Sequence, residues 1–223
     1  MVKLDTSRGG FRTYAGASSP LPSVTEVLKV LDDRVWINDW IARAGRREVD
    51  RKLNEASNLG TKVHAAAAKV ARLMARGQTK VIVEPPMVPY AEAVVEFLET
   101  HTRRIIAVEK RMASDRLRFG GTVDLICEMY DGSLAVVDYK TNSNGITKVH
   151  KLQTAGYAML AREHGYNISK RIVVRLHKAE DKQGQWYARA ALDHRQDVEV
   201  FKACVVLWYF KHGAKLKGKQ NGD

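Results

Sequence analysis

The sequence predicts a single α/β domain, in which a small mixed β-sheet is flanked by helices and the N-terminal helices form one wall of a cleft. Apolar residues recur at helical spacing through the first hundred positions, and short apolar runs separated by turn residues follow them. We therefore divide the 223 residues into a mainly helical part (1–103), an α/β core (104–212) and a basic, flexible tail (213–223).

The N-terminal part contains four predicted helices. Residues 1–21 are polar and rich in Gly and Ser, and we expect a loosely ordered arm there. Ser23 and Glu26 are spaced as a capping box, in which the Ser side chain caps the helix and the Glu side chain reaches back. The predicted helices run from Ser23 to about Leu31, from Trp36 to Ala44 before Gly45, from Val49 to Arg76 before Gly77 with a candidate break at Asn58–Gly60, and from Pro89 to Arg104.

The pattern changes to strands after this helical part. Asp131–Gly132 lies between two apolar runs and is typical of a hairpin turn. Strands are predicted at Arg104–Arg111, Arg118–Met129, Leu134–Thr141, Arg171–Leu176 and Trp186–Leu192, with a turn at Asp181–Gly184 and helices at about Thr147–His164 and Gln196–His212.

The charge of the chain indicates a polyanionic partner. There are 37 Lys and Arg against 25 Asp and Glu, giving a formal net charge of +12. A membrane surface is the rival polyanion, but no strongly apolar helix with a basic face is evident, which favours DNA and no membrane. Basic residues are dense at Arg43–Lys52 and Lys211–Lys219, and these runs can equally be solvated helix faces and a frayed tail. The candidate DNA contacts are Arg43, Arg46, Arg47 and Arg51.

Several classes of site and location are excluded by the sequence. Cys127 and Cys204 lie in apolar runs, and two cysteines cannot supply a four-thiolate zinc or iron–sulfur site. Without a secretory signal or an apolar run near eighteen residues, we expect a cytoplasmic protein of a bacterium or a phage-infected cell. The segment Gly213–Gln220 is similar to the phosphate-binding loop motif of ATPases. Gln220 occupies the position where the motif has a Ser or Thr that binds Mg²⁺, so no ATP site is expected.

Two carboxylates and one lysine form the strongest chemical signal. Asp124 lies within an apolar run, and Asp138 follows another, on two strands that we predict to be adjacent. Lys140 is two residues after Asp138, so the two side chains point to the same face of the strand. Two carboxylates about 4 Å apart repel by roughly 4 kcal/mol at an effective dielectric near 20, and a divalent cation between them removes that cost. A single such Asp is more often a strand-end cap or part of an ion pair, but the three together favour an Mg²⁺ or Mn²⁺ site for phosphodiester hydrolysis.

Glu109 is a further candidate at the end of the preceding strand. It could supply another acidic ligand or hold a water, and it could equally pair with Lys110 or Arg111. The sequence leaves both alternatives open.

Six motifs occur in a fixed order along the chain. They are Leu21–Leu28, Gly60–His64, Glu109, Gly121–Asp124, Asp138–Thr141 and Gln153–Tyr157. This ordered set resembles the RecB-type branch of the PD-(D/E)XK nuclease superfamily, including phage exonucleases and the mitochondrial genome maintenance exonuclease. The resemblance covers roughly residues 20–160 and implies a restriction-endonuclease-like core.

The resemblance implies roles only at the matching positions. Asp124, Asp138, His64 and the backbone carbonyl of Tyr139 would be metal ligands, and Lys140 would be the catalytic lysine. Gln153 and Tyr157 share a helix face and would adjoin the site, and Thr141 would contact DNA. From the residues alone, His64 could instead be an ordinary helix residue, and Gln153 and Tyr157 ordinary helix polarity with an aromatic core contact.

The implied activity is metal-dependent hydrolysis of DNA, most consistent with an exonuclease acting on single- or double-stranded ends. Recombination or replication proteins would be partners, in phage recombination or DNA repair, and the oligomeric state stays open. The alternatives are a structure-selective or nicking endonuclease of the same fold and a non-catalytic DNA-binding protein on a nuclease scaffold. Many RecB-type relatives carry a cysteine-bound iron–sulfur cluster, which this chain cannot hold.

Overall fold

The computed structural model describes residues 4–5, 11–15, 20–32, 35–78, 80–141, 145–176, 187–192 and 195–217. The helices are α1 (Val24–Leu28), α2 (Val35–Ala44), α3 (Arg46–Met74), α4 (Val88–His101), α5 (Lys148–Glu163) and α6 (Arg195–Lys217). The strands are β1 (Leu4–Asp5), β2 (Thr13–Tyr14), β3 (Leu21–Pro22), β4 (Thr102–Ser114), β5 (Phe119–Met129), β6 (Leu134–Lys140), β7 (Ile168–Arg175) and β8 (Tyr187–Leu192).

The main sheet has five strands in the order β4-β5-β6-β7-β8, and it is mixed as predicted. Strands β6 and β7 run parallel because helix α5 connects them, while the other neighbours are antiparallel. The β5–β6 hairpin turns at Asp131–Gly132, where Gly132 adopts φ +80°. The α/β prediction is therefore confirmed.

Helices cover both faces of the sheet and build two cores. On one face, Val63 and Val70 of α3 and Phe97 of α4 pack against Leu125 and Tyr139. On the other face, α5 and α6 pack with α1, and the largest buried ring is that of Trp208. In the described part of the chain, no helix has the length and apolarity needed to cross a membrane.

The first 21 residues hold more structure than the sequence predicted. Strands β1, β2 and β3 form a small antiparallel sheet, and Ser23 bridges in parallel to Gly120 of β5. The capping box at α1 is only half formed. The Ser23 hydroxyl accepts from Glu26 N at 3.0 Å, but Ser23 N donates to Arg12 O, so the Glu26 carboxylate bonds Lys29 instead.

Several helix boundaries also differ from the prediction. Helix α3 begins at Arg46, before the predicted Val49, and α4 ends at His101, before the predicted Arg104, because Thr102 and Arg104 already pair with β5. Helix α3 continues without a break through Asn58–Gly60 and ends before Gly77, which adopts φ +74°. A glycine inside a helix costs only about 1 kcal/mol, which the packing of a 29-residue helix outweighs. Helix α6 extends to Lys217, so the segment predicted as a flexible tail begins inside a helix. The predicted turn at Asp181–Gly184 and residue Trp186 lie outside the described residues.

Candidate active site

Asp138 and Lys140 lie side by side at the end of β6. Asp138 is 1% exposed, and Lys140 Nζ lies 2.6 Å from its Oδ2 atom. The other carboxylate oxygen, Oδ1, accepts a hydrogen bond of 3.0 Å from Gln153 Nε2 on α5. The same amide nitrogen donates to Tyr157 Oη at 2.9 Å. The structure therefore brings Gln153 and Tyr157 to the carboxylate, where the motif resemblance predicted them.

Asp124 on β5 faces the same space and is held from two directions. Its Oδ2 atom accepts a hydrogen bond of 2.8 Å from Tyr139 N, and His64 Nδ1 lies 3.2 Å from that oxygen. His64 projects from α3, which packs on the sheet face opposite α5. The Tyr139 ring is buried in the core, and the role of its carbonyl as a metal ligand stays a prediction.

Glu109 completes a three-residue cluster with His64 and Asp124. One ligand atom from each residue lies within 4.8 Å of the other two. Glu109 stands on β4 between the pairs Val108–Leu125 and Lys110–Val123, and its backbone adopts φ +51°. A non-glycine residue in this region costs of order 1–3 kcal/mol, and such strain concentrates at functional sites. The alternative pairing of Glu109 with Lys110 or Arg111 is not found among the described ion pairs.

The donor set fits a hard divalent cation. Besides the cluster of His64, Glu109 and Asp124, the buried Asp138 Oδ2 atom lies 2.6 Å from the Lys140 ammonium, without hydrogen-bond geometry to a described donor. A buried carboxylate oxygen with one ionic partner keeps unused acceptor capacity, which a cation would satisfy. Carboxylate oxygens suit Mg²⁺ and Mn²⁺, and an imidazole adds a softer donor.

The pKa values of the clustered residues also support a cation site. Burial raises the pKa of Asp138 above its usual value, although the Lys140 charge acts against it. Burial, and then the charge of Asp124, raises the pKa of Glu109. Burial lowers the pKa of His64, but the hydrogen bond and charge of Asp124 outweigh it, so the pKa is raised. The site thus crowds acidic groups that a cation would relieve.

These residues line a central cleft of about 560 Å³ between α3, β5 and α5. Two arginines that the sequence analysis missed also line it, Arg12 before β2 and Arg72 on α3. Arg72 was within reach of sequence reasoning, because it lies eight residues after His64 and therefore on the same helix face. Arg12 carried no local signal, since the hydrogen bond from Ser23 N to its carbonyl is a long-range contact.

The predicted arginine cluster lies away from this cleft. Arg43 is on α2, and Arg46, Arg47 and Arg51 are on the first turns of α3, whereas the cleft begins at Ser57. Arg51 is already bonded to Glu48 at 2.6 and 2.9 Å and to Glu55 at 2.6 Å. Its contribution to DNA binding, and that of the other three, stays a prediction.

Thr141 is the last predicted DNA contact, and it lies beside α3 at the end of β6. A Cβ atom placed on Gly60 would stand 3.8 Å from Thr141 Oγ1. The segment that follows Lys140 therefore passes close to the helix that carries His64. The contact of Thr141 with DNA stays a prediction.

Several solved structures are similar to this chain. An alkaline exonuclease from Laribacter hongkongensis aligns with a TM-score of 0.45 at 9% identity, over 68% of this chain and 79% of that one. A putative exonuclease from Eubacterium rectale aligns with a TM-score of 0.42 at 11% identity, over 93% and 80%. A phage related exonuclease from Haemophilus somnus aligns with a TM-score of 0.32 at 10% identity, over 68% and 82%.

Comparison at the level of sequence gives one match. No curated protein sequence matches the chain significantly. The model of the PD-(D/E)XK nuclease superfamily matches residues 86–202, slightly more than half of the 223 residues and the part that contains Glu109, Asp124, Asp138 and Lys140. The chain therefore belongs to the PD-(D/E)XK nuclease superfamily.

Proposed function

We propose that this protein is a deoxyribonuclease that depends on Mg²⁺ or Mn²⁺ and hydrolyses DNA from its ends. The observation that carries the proposal is the convergence of Asp124, Asp138 and Lys140, from two strands, with His64 and Glu109 around one cleft. Family membership supports nuclease chemistry, and the residues of the cleft support its dependence on a metal ion.

Asp124, Asp138, Glu109 and His64 would hold the cation. A divalent cation bound there would polarise a phosphoryl oxygen and lower the pKa of an attacking water. Lys140, whose side chain is 18% exposed, places an ammonium at the same point and would stabilise the negative charge that develops on the phosphorus-bound oxygens. Its ion pair with Asp138 keeps this ammonium in place before substrate arrives.

Gln153 and Tyr157 would act as positioning residues. The Gln153 amide donates to Asp138 Oδ1 and to Tyr157 Oη, so the rotation of the carboxylate is fixed from α5. A carboxylate already held in one orientation loses less conformational freedom when it binds the cation.

The basic residues of the cleft support DNA as the substrate. Neither the Arg12 nor the Arg72 guanidinium forms a described ion pair, and both line the same cleft as Asp124, Asp138 and Lys140. Two guanidiniums without a described ion pair, beside an acidic metal cluster, suit the phosphates that flank a scissile bond. The formal net charge of +12 acts in the same direction at longer range.

The preference for DNA ends rests on the resemblance of the motifs to exonucleases. The RecB-type branch, a cytoplasmic location, recombination or replication partners and a role in phage recombination or repair rest on that resemblance too, and they stay predictions.

The test compares a linear duplex with a covalently closed circle of the same sequence, in Mg²⁺, in Mn²⁺ and in EDTA. Wild-type protein should degrade the linear DNA in either metal, spare the circle and be inactive in EDTA. Asp138→Asn should abolish cleavage and weaken Mn²⁺ binding in calorimetry, whereas Asp50→Asn, an exposed change on α3, should do neither. Equal cutting of circle and linear DNA would favour the endonuclease alternative. DNA binding without any cleavage would favour the non-catalytic one.

A further inference from the structure

A second cavity of about 420 Å³ adjoins the central cleft on the far side of Lys140. We call it the side pocket, and it lies between the segment that contains α1 and the first turns of α5. Thr25, Lys140 and Gln153 line both cavities, so the two are joined beside the catalytic lysine. Its volume lies within the range of roughly 300–1,000 Å³ that is usual for small-molecule sites.

Three large apolar side chains form part of the walls of the side pocket. Leu28 is buried at 5% exposure, while Leu31 and Val149 are 44% and 41% exposed, which is high for large apolar side chains. Leu31 and Val149 stand on different elements, after α1 and on α5, and both line the pocket. Two exposed apolar side chains at the rim of a cavity that opens beside an active site indicate that an apolar surface of the ligand covers them.

The charged groups of the pocket do not favour an anionic ligand. Asp32 is a carboxylate, and the Lys140 ammonium is paired with Asp138 at 2.6 Å. The Lys29 ammonium is bonded to Glu26 at 2.8 Å and is therefore already neutralised.

His150 adds a neutral, planar ring to the pocket. Burial, and then the charge of Lys140, lowers the pKa of His150 to about 4, so its ring is neutral near pH 7. His150 Nδ1 accepts from Thr147 N at 3.1 Å, which leaves the ring proton on Nε2 as a hydrogen-bond donor. A neutral ring with one donor, beside apolar side chains and a carboxylate, suits an uncharged, planar ligand better than a phosphate.

We propose that the side pocket holds the base of a nucleotide next to the scissile phosphate, in an unpaired state. The inference rests on the proposed nuclease function and adds a substrate requirement to it. The acidic cluster and Lys140 receive the phosphate in the central cleft, which the two arginines also line, and the base occupies the adjoining side pocket. A base inside this pocket is removed from a Watson–Crick pair, so at least one nucleotide at the cleavage point is single-stranded.

The experiment measures binding of single-stranded oligonucleotides that carry one abasic residue, moved one position at a time from the end. Ca²⁺ replaces Mg²⁺ to suppress cleavage, and dissociation constants come from fluorescence anisotropy. An abasic residue at one position should weaken binding to wild-type protein by about five- to tenfold, the scale of one stacked base. The double variant Leu31→Ser/Val149→Ser should bind the unmodified strand more weakly and lose most of the position-specific penalty.

A matched control separates the pocket from apolar surface in general. Ile82 is 72% exposed and lines neither cavity, so Ile82→Ser should keep the wild-type penalty at the same position. Thermal unfolding is measured for all variants to check that each is folded, which we expect because the substituted positions are exposed. The same penalty in the double variant as in wild-type protein would overturn the proposal, because the base would then lie elsewhere.

Cleavage of the unmodified strand in Mg²⁺ is followed in parallel, so that the two proposals fail separately. A wild-type protein that cleaves DNA yet shows no position-specific penalty would overturn the side-pocket proposal alone. A protein that shows the penalty but never cleaves would contradict the nuclease function and would still support a base-binding pocket.

Discussion

Asp138 is a residue at which burial and charge act in opposite directions. Its carboxylate is 1% exposed, and burial raises its pKa, while Lys140 at 2.6 Å favours the ionised form. An ionised buried carboxylate is retained only when other groups compensate it. Gln153 and Lys140 provide part of that compensation, and a cation would provide the rest. Under the proposed function, the cost of burying Asp138 is explained by its role as a metal ligand and not by a gain in stability.

The role of Lys140 can be separated from metal binding. Lys140→Ala removes the ammonium near the developing phosphate charge but leaves His64, Glu109 and Asp124 in place. We expect single-turnover cleavage to slow by about 10²-fold or more, the scale of losing one transition-state charge partner. Calorimetric Mn²⁺ affinity should stay close to wild-type. Lys202→Ala, an exposed change on α6, is the control, and a Lys140→Ala rate within about threefold of wild-type would remove the lysine from the mechanism.

Glu109 provides a second test at a single residue. Because its carboxylate lies within 4.8 Å of the His64 and Asp124 ligand atoms, Glu109→Gln should weaken Mn²⁺ binding by at least about tenfold. The neutral amide keeps the size of the side chain and removes the charge. Glu92→Gln on the exposed face of α4 is the matched control. An unchanged Mn²⁺ affinity in Glu109→Gln would place the cation nearer Asp138 and away from β4.

At the scale of elements, local signals predicted most helices and strands. Gly45 and Gly77, which adopt positive φ, end α2 and follow α3 where the sequence placed them, and Asp131–Gly132 turns the hairpin. Strands β1, β2 and β3 were missed because each has only two residues, which is too short for an alternating pattern to appear in the sequence. The positive φ of Glu109 was missed because nothing in the local sequence favours that conformation for a Glu residue.

Two glycines show how packing between elements supports the site. A Cβ atom on Gly121 of β5 would lie 2.9 Å from the Tyr157 ring, and one on Gly156 of α5 would lie 2.7 Å from the Phe201 ring. Overpacking of this kind costs typically about 1–3 kcal/mol, so both Gly121→Ala and Gly156→Ala should lower the free energy of unfolding.

Only Gly121→Ala should also lower activity, because Tyr157 is bonded to the Gln153 amide that holds Asp138. We expect kcat per folded molecule to fall several-fold in Gly121→Ala and to stay near wild-type in Gly156→Ala. Urea unfolding and steady-state cleavage on the same preparations provide both quantities. Equal activity in the two variants would show that Tyr157 does not help to position the Asp138 carboxylate.

At the scale of the whole molecule, the site is assembled from distant segments of chain. The spacing of Asp124, Asp138 and Lys140 could be read from the sequence because all three stand on neighbouring strands of known period. His64 required the family resemblance, because a helix histidine has no partner that local spacing reveals. Neither strand spacing nor the family resemblance could predict that Arg12 lines the cleft, since its position depends on the small N-terminal sheet that packs beside β5.

Only some of the basic residues behind the net charge of +12 are expected to contact DNA. The salt dependence of DNA binding can identify which residues they are. Each neutralised phosphate changes the slope of log K against log salt by about 0.9 in duplex DNA. Arg12 and Arg72 face the cleft without a described ion pair, so Arg12→Gln/Arg72→Gln should reduce the slope by up to about 1.8. Arg51 is bonded to Glu48 and Glu55, so Arg51→Gln should leave the slope unchanged.

Binding is measured by anisotropy in Ca²⁺ between about 50 and 200 mM salt, the range over which several phosphate contacts change affinity by orders of magnitude. Calorimetric Mn²⁺ binding should be unchanged in Arg51→Gln. It should be at least as tight as wild-type in Arg12→Gln/Arg72→Gln, because two positive charges that act on Glu109 are removed. If Arg51→Gln lowers the slope and the double variant does not, the DNA follows the first turns of α3. The cluster of Arg43, Arg46, Arg47 and Arg51 would then carry the contacts, and the arginines of the cleft would serve only to offset the charge of Glu109.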